Sequence, residues 1–328
     1  MKISVVDQSP IFSNSDANLA LLESIELAKA CDAMGLTRYW VAEHHGSSSF
    51  AGCSPEILIP KIAAETQSLR IGSGGVMLMH YSPYKVAENF RLLESLFPGR
   101  IDLGIGRAPG SDPYQAGALA YGSKTTGPEF FPTKMQDLTS FLIGEKPTSE
   151  AFQEVSVTPG LGKIPEIWLL VSSQQGAEYA AHFGLPMSLA YFIDQDCLVL
   201  ADYYRKNFKP SVFSKLPIVS LGVFAICSET DDEAERLSAS AAVWRMNLQR
   251  GQFAPFSTTE EALKIVSRDR MDISDSKTFI GSPETIYRKL MPLLKKTNPD
   301  ELKIVTICEP LAERVKSYKL LKELFDSR

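Results

Sequence analysis

The stretch YWVAEHHG, Tyr39 to Gly46, ends an apolar run on a glutamate and two adjacent histidines, in a chain with only four histidines in 328 residues. An imidazole titrates near neutral pH, so His44 and His45 are candidates for general acid/base work or for metal ligation. Adjacent residues on an extended strand point to opposite faces, which aims one ring at a mouth and the other at a wall. No third and fourth ligand stands at a suitable spacing, so no metal is expected. One histidine hydrogen-bonded within a wall explains the pair equally well. His80 follows another strand-like run and is expected near the same mouth, whereas His182 falls on a helix as packing or surface.

Three further stretches carry chemistry. GIGRAPG, Gly104 to Gly110, allows close backbone approach, and Arg107 can bind a phosphate bidentately. The same residues also describe a glycine-rich turn with a surface arginine. A dinucleotide fingerprint is disfavoured, because the third glycine is misplaced and Pro109 with SDPYQAG interrupts the helix that would hold a pyrophosphate. VSSQQG sets Ser172 and Ser173 before a helix, as a plain serine cap or as part of an anion site with Arg107. In GSGGVMLMHYSP, Gly74-Gly75 interrupts an apolar run, which marks a bulge or the close approach of a ring. Met77, Leu78, Met79, Tyr81 and Tyr191 suggest an apolar pocket, with about half of them expected to be core instead.

The elements that would position these residues alternate from end to end. Strand-like runs occur at ISVVD, RYWVAE, LRIGSGG, RIDLGIGR, EIWLLV, MSLAY, IVSLGVFAI and LKIVTI, each followed by a helical pattern. Asn14, Ser15 or Asp16 can cap the first helix, and Gly35 stands where it should stop. Two later helices open on Ser-Pro, at Ser54-Pro55 and Ser82-Pro83. Eight such units fit either an open doubly wound sheet or a closed (β/α)8 barrel, and the lack of a linker favours the barrel. In a barrel, all four unusual stretches converge at the C-terminal ends of the strands. Residues 249–280, with RGQFAPFST and a polar run, break the rhythm and read as an insertion that could form a mobile lid.

Bulk properties restrict the class. Hydrophobic residues make up 44% and charged residues 22%, as in ordinary globular proteins. The net charge of −5 and the lack of a basic run argue against a nucleic-acid partner. The five cysteines are scattered, which fits reduced thiols in a cytoplasmic protein better than a disulfide framework. The N-terminus enters a strand without a signal-peptide layout, and no apolar run is long enough to span a membrane.

Together VVDQSP, RYWVAEHH, PEILI, RIGSGGVMLMHYSPYKVAENFRLLESLFPGRIDLGIGRAPGSD, EIWLLVSSQQGAEYAAHFGLP and GSPETI resemble the bacterial luciferase-like family of flavin-dependent monooxygenases, over nearly the whole chain. The nearest likeness is to its single-chain oxidoreductases of unassigned substrate. The resemblance implies one luciferase-like (β/α)8 TIM-barrel domain over 1–328 that binds FMN, usually as a homodimer. It places the FMN phosphate on Arg107, aided by Ser172, Ser173 and Gly176, and puts His45, Gly74, Gly75 and Met77 at the cofactor. It also implies a cis Gly74–Gly75 peptide beneath the flavin, and His44 as the catalytic acid/base with a proton balance suited to neutral pH. The implied reaction is that of a two-component monooxygenase. A separate NAD(P)H-dependent flavin reductase supplies FMNH2, and oxygen adds to give a peroxyflavin that oxidises a small organic substrate. Relatives of the fold also imply two rivals: an oxidoreductase using F420, and a flavin-binding protein without catalysis. The chain departs from the light-emitting enzymes at Gly106, where they carry a cysteine, and 249–280 does not clearly match their mobile loop.

Overall fold

The computed structural model describes residues 1–108, 110–160, 162–269 and 277–327. Nine parallel strands occur among them: β1 (Lys2–Asp7), β2 (Arg38–Val41), β3 (Arg70–Met77), β4 (Ile101–Gly106), β5 (Glu166–Val171), β6 (Met187–Ala190), β7 (Val219–Cys227), β8 (Thr278–Gly281) and β9 (Glu301–Val305). Strands β1 to β7 pair in sequence, β7 pairs with β9, and β9 returns to β1. These eight close a (β/α)8 barrel. The ninth, β8, pairs only with the outer end of β7, from Phe224↔Thr278 to Cys227↔Gly281. It belongs to the insertion and was not anticipated.

The helices are α1 (Ala17–Ala33), α2 (Pro55–Glu65), α3 (Pro83–Leu96), α4 (Pro113–Leu119), α5 (Phe131–Ile143), α6 (Gln174–Phe183), α7 (Leu200–Asn207), α8 (Asp231–Gln249), α9 (Thr259–Asp269), α10 (Pro283–Thr297) and α11 (Leu311–Asp326). Asp16 is the cap of α1, accepting from Leu19 N at 2.8 Å, and Gly35 follows with φ +69°. Both Ser-Pro pairs open helices. None of the described helices is long and apolar enough to cross a membrane.

Strand alternation sorts side chains between two cores. Tyr39, Val41, Ile71, Leu103, Ile105, Ile167 and Leu169 face outward into the layer between barrel and helices. Their strand neighbours meet inside the barrel. Arg38 donates to Asp102, Glu166 and Glu301 at 2.8, 2.8 and 2.9 Å, linking four strands. Above it the Lys303 ammonium lies between Trp40 and Trp168, 3.5 and 3.6 Å from the ring centroids. Burial lowers the Lys303 pKa to about 7, against the pull of Glu301. This charged plug closes the barrel under the site.

The insertion is anchored at Phe256. Phe256 is fully buried, its N–H donates to Ile11 O at 2.8 Å, and its carbonyl accepts from Ser13 N at 2.7 Å. Phe256 therefore ties this part of the insertion to the segment after β1. Positions 270–276 of the expected lid, and Pro109 of the glycine-rich turn, lie outside the described residues.

Candidate active site

The strand exits enclose a cavity of about 1640 Å³ at the C-terminal end of the barrel. Its floor includes Val6, Gly74, Gly106 and Leu170. A Cβ on Gly74 would stand 3.0 Å from Trp40 Cβ, and one on Gly106 would stand 2.8 Å from Met77 Cε. Neither position has room for a side chain as the neighbours stand. The Gly74–Gly75 peptide is cis, and the β3–β4 register shifts between Gly74 and Val76. Gly75 packs on β4, where a Cβ would meet Gly104 O at 2.7 Å.

The turn after β2 carries His44 into the cavity. Its N–H donates to Gly52 O at 2.9 Å, and its ring stacks on Phe50 at 4.5 Å. Among the described residues its buried Nδ1 has no hydrogen-bond partner. Burial, with a smaller contribution from His45, lowers its pKa from 6.5 to about 4. The neutral-pH proton balance expected of His44 is thus corrected: a desolvated imidazole stays neutral at pH 7. A buried polar atom without a partner calls for an explanation, and the residue that carries it lines the cavity.

His45 turns away from the cavity. Its Nε2 lies 2.8 Å from Glu43 Oε1, which also accepts from Tyr81 Oη at 2.8 Å. The other oxygen of Glu43 accepts from Met77 N at 3.1 Å. One buried carboxylate thus ties the exit of β2 to that of β3. The exit of β4 joins through His45 N, which donates to Gly110 O at 3.0 Å. Burial and the Glu43 charge hold the Tyr81 phenol well above its ordinary pKa, so it remains a donor. Lys134 Nζ fixes the intervening turn by donating to the carbonyls of Met79 and Tyr81 at 2.9 and 3.0 Å.

Across the cavity, Ser173 caps α6, its Oγ accepting from Gly176 N at 3.3 Å. Arg107, from the exit of β4, donates to the same Oγ at 3.4 Å and also bonds Gln175. Arg107, Ser172, Ser173 and Gly176 all line the cavity. A guanidinium, two hydroxyls and a helix N-terminus form a donor set suited to a phosphate monoester.

The match to known families agrees with this geometry. The family model described as luciferase-like monooxygenase matches residues 1–297. The chain belongs to this family. Among its relatives is the N-acetyl-S-alkylcysteine monooxygenase of Bacillus subtilis (strain 168), 33% identical, with 98% of each chain covered. The solved structure of apo-MsnO8 is 34% identical with a TM-score of 0.90, covering 99% of this chain and 98% of that one. The FMN-bound oxygenating constituent of 3,6-diketocamphane monooxygenase from Pseudomonas putida has a TM-score of 0.72 at 18% identity, covering 98% and 97%. That third likeness shows the shared fold.

Of the residues singled out in this luciferase-like chain, His44, Gly74, Met77, Arg107, Ser172, Ser173 and Gly176 line one cavity, as does His80. His45 and Gly75 stand behind its wall. Of the apolar set, Met77 and Met79 reach the cavity, while Leu78, Tyr81 and Tyr191 belong to the core. Sequence reasoning missed Trp244, Phe192 and Phe224, which wall the cavity from α8, the exit of β6 and β7. It noted Glu43 at the end of an apolar strand but gave it no role in joining the strand exits.

Proposed function

We propose that this chain is the oxygenating component of a two-component FMN-dependent monooxygenase acting on a small organic substrate, with FMNH2 delivered by a separate NAD(P)H-dependent reductase. The observation that carries this reading is the placement of Arg107 and Ser173 at the N-terminus of α6, with Gly74, Gly106 and His44 lining the same cavity. The residues present fit FMN. Arg107, Ser172, Ser173 and the Gly176 N–H would hold its phosphate, and the ring would lie in the same cavity, which Gly74 and Gly106 line. Reduced FMN, when bound, supplies the electrons that activate dioxygen. The FMN named with the diketocamphane enzyme supports the choice of cofactor.

The chain's own side chains then have distinct tasks. His44, neutral at pH 7, lines the cavity, where its imidazole can accept a proton. The Glu43 carboxylate keeps Met77 and the β2 turn in register. Apolar walls exclude water, which strengthens every polar contact made inside.

Stopped-flow mixing of the protein and FMNH2 with oxygenated buffer tests the reading. The expected result is flavin reoxidation markedly slower than for free FMNH2, with dependence on His44. Reoxidation at the free rate, or tight binding of F420 in place of FMN, would overturn it.

A further inference from the structure

One side of the cavity carries an apolar stretch. Its walls are Phe192 and Ile193 beyond β6, Phe224 on β7, and Ala242, Trp244 and Met246 on α8. The rings of Phe192 and Phe224 meet with centroids 5.1 Å apart. Gly222 permits this, since a Cβ there would stand 2.9 Å from Phe192 Cε1. The Phe192 ring therefore lies down on the β7 backbone and leaves the space above it open.

The indole of Trp244 is locked in place. It stacks on Phe256 at 5.0 Å with planes 24° apart, and meets the edge of Phe50 at 5.5 Å. Its Nε1 donates to Ser49 Oγ at 2.9 Å, and Ser49 Oγ donates onward to Ala254 O at 2.7 Å. The one N–H donor among these six side chains is thus already used. A polar group lying against these six side chains would lose water and gain no hydrogen bond from them, whereas an apolar ring would gain dispersion contacts. Phe50 touches Trp244 on one side and stacks under His44 on the other. A ring lying against Trp244 would therefore be held beside His44.

We propose that these walls form the substrate compartment, that it selects an uncharged apolar ring, and that Trp244 is its specificity-determining residue. The assignment rests on the cofactor holding the Arg107 side of the cavity. Arg245, Arg250 and Lys277 also line the cavity, so selection of an anion is the competing result, and the test separates the two.

Isothermal titration calorimetry with thioanisole and with 4-(methylthio)benzoate, on the wild type and on Trp244→Ala, Trp244→Phe and Phe224→Leu, decides the matter. Thioanisole is expected to bind the wild type saturably, about tenfold more weakly to Trp244→Ala, and within about threefold of wild type to Trp244→Phe, which keeps a ring. Phe224→Leu should weaken it by about threefold or more, so the proposal stays testable if Trp244→Ala does not fold. Thioanisole failing to bind the wild type would overturn the proposal, as would unchanged affinity in the variants that fold. So would 4-(methylthio)benzoate binding about tenfold more tightly than thioanisole. A parallel FMN titration should give the same affinity for every variant. Failure of FMN to bind the wild type would defeat the cofactor reading, while the thioanisole ranking would still judge the compartment.

Discussion

The imidazole of His44 lies stacked on the ring of Phe50, with centroids 4.5 Å apart and planes 26° apart. This contact takes the ring out of water and lowers its pKa to about 4. In the unfolded chain the group titrates near 6.5. The folded state therefore binds fewer protons between those values. The stabilisation is complete above pH 6.5 and is lost as pH falls through about 4. Between pH 7 and 4.5, urea unfolding of the wild type should lose about 2 kcal/mol more stability than His44→Gln does. Equal losses in the two proteins would show that His44 does not titrate in this way.

The Glu43 carboxylate predicts a coupled pair. Tyr81→Phe removes one donor to it and should cost about 1–2 kcal/mol. Glu43→Ala leaves the Met77 N–H and the Tyr81 hydroxyl without their acceptor and should cost about 3 kcal/mol. The double variant should cost less than the sum, with a coupling of about 1 kcal/mol in a cycle of urea midpoints. Strict additivity would mean that the two side chains do not share one network.

The barrel was legible because its strands are short apolar runs separated by helical patterns, and because four glycine- or histidine-bearing stretches all fell at strand exits. Arg107 and Ser173 were legible for a local reason: a glycine-rich exit and a serine before a helix are each readable within a few residues. Trp244 was not, since it sits within α8, where an aromatic reads as packing. Its partners Ser49 and Phe50 come from the β2 exit, 195 residues away for Ser49, and no local pattern announces them. The insertion was legible from its break in the strand–helix rhythm, but its anchoring was not. The burial of Phe256 against Phe12 and Phe50 depends on contacts between distant segments, which a polar composition conceals. Strand β8 follows a polar stretch of sequence and pairs only with the outer end of β7, so it did not stand out as a strand.

The plug beneath the site yields a stability prediction. Arg38 is paired with three carboxylates, of which Asp102 and Glu301 are almost wholly buried. Replacing it by Met leaves those charges facing only Arg70 and Lys303. Removing one partner of a buried ion pair costs about 3–5 kcal/mol, and Arg38→Met should reach that range in urea denaturation. Arg38→Lys should recover only part of the loss, because one ammonium cannot reproduce three guanidinium bonds. A neutral Arg38→Met would mean that the plug contributes no net stability.

Arg107 offers the sharpest separation of phosphate reading from general packing. If its guanidinium holds the phosphate, the wild type should bind FMN more tightly than riboflavin, which has the same ring but no phosphate. Arg107→Ala should weaken FMN binding by about 10- to 100-fold while leaving riboflavin affinity nearly unchanged, so the preference between the two flavins collapses. Arg107→Lys should restore part of it, since a point charge replaces a bidentate fork. Ser173→Ala should give a smaller loss, because the hydroxyl also caps α6 through Gly176 N, and its removal would loosen the helix terminus as well as the anion site. Fluorescence titration of both flavins against the four proteins reads each of these differences. Equal weakening of FMN and riboflavin in Arg107→Ala would assign the arginine to the architecture of the β4 exit instead of to the phosphate.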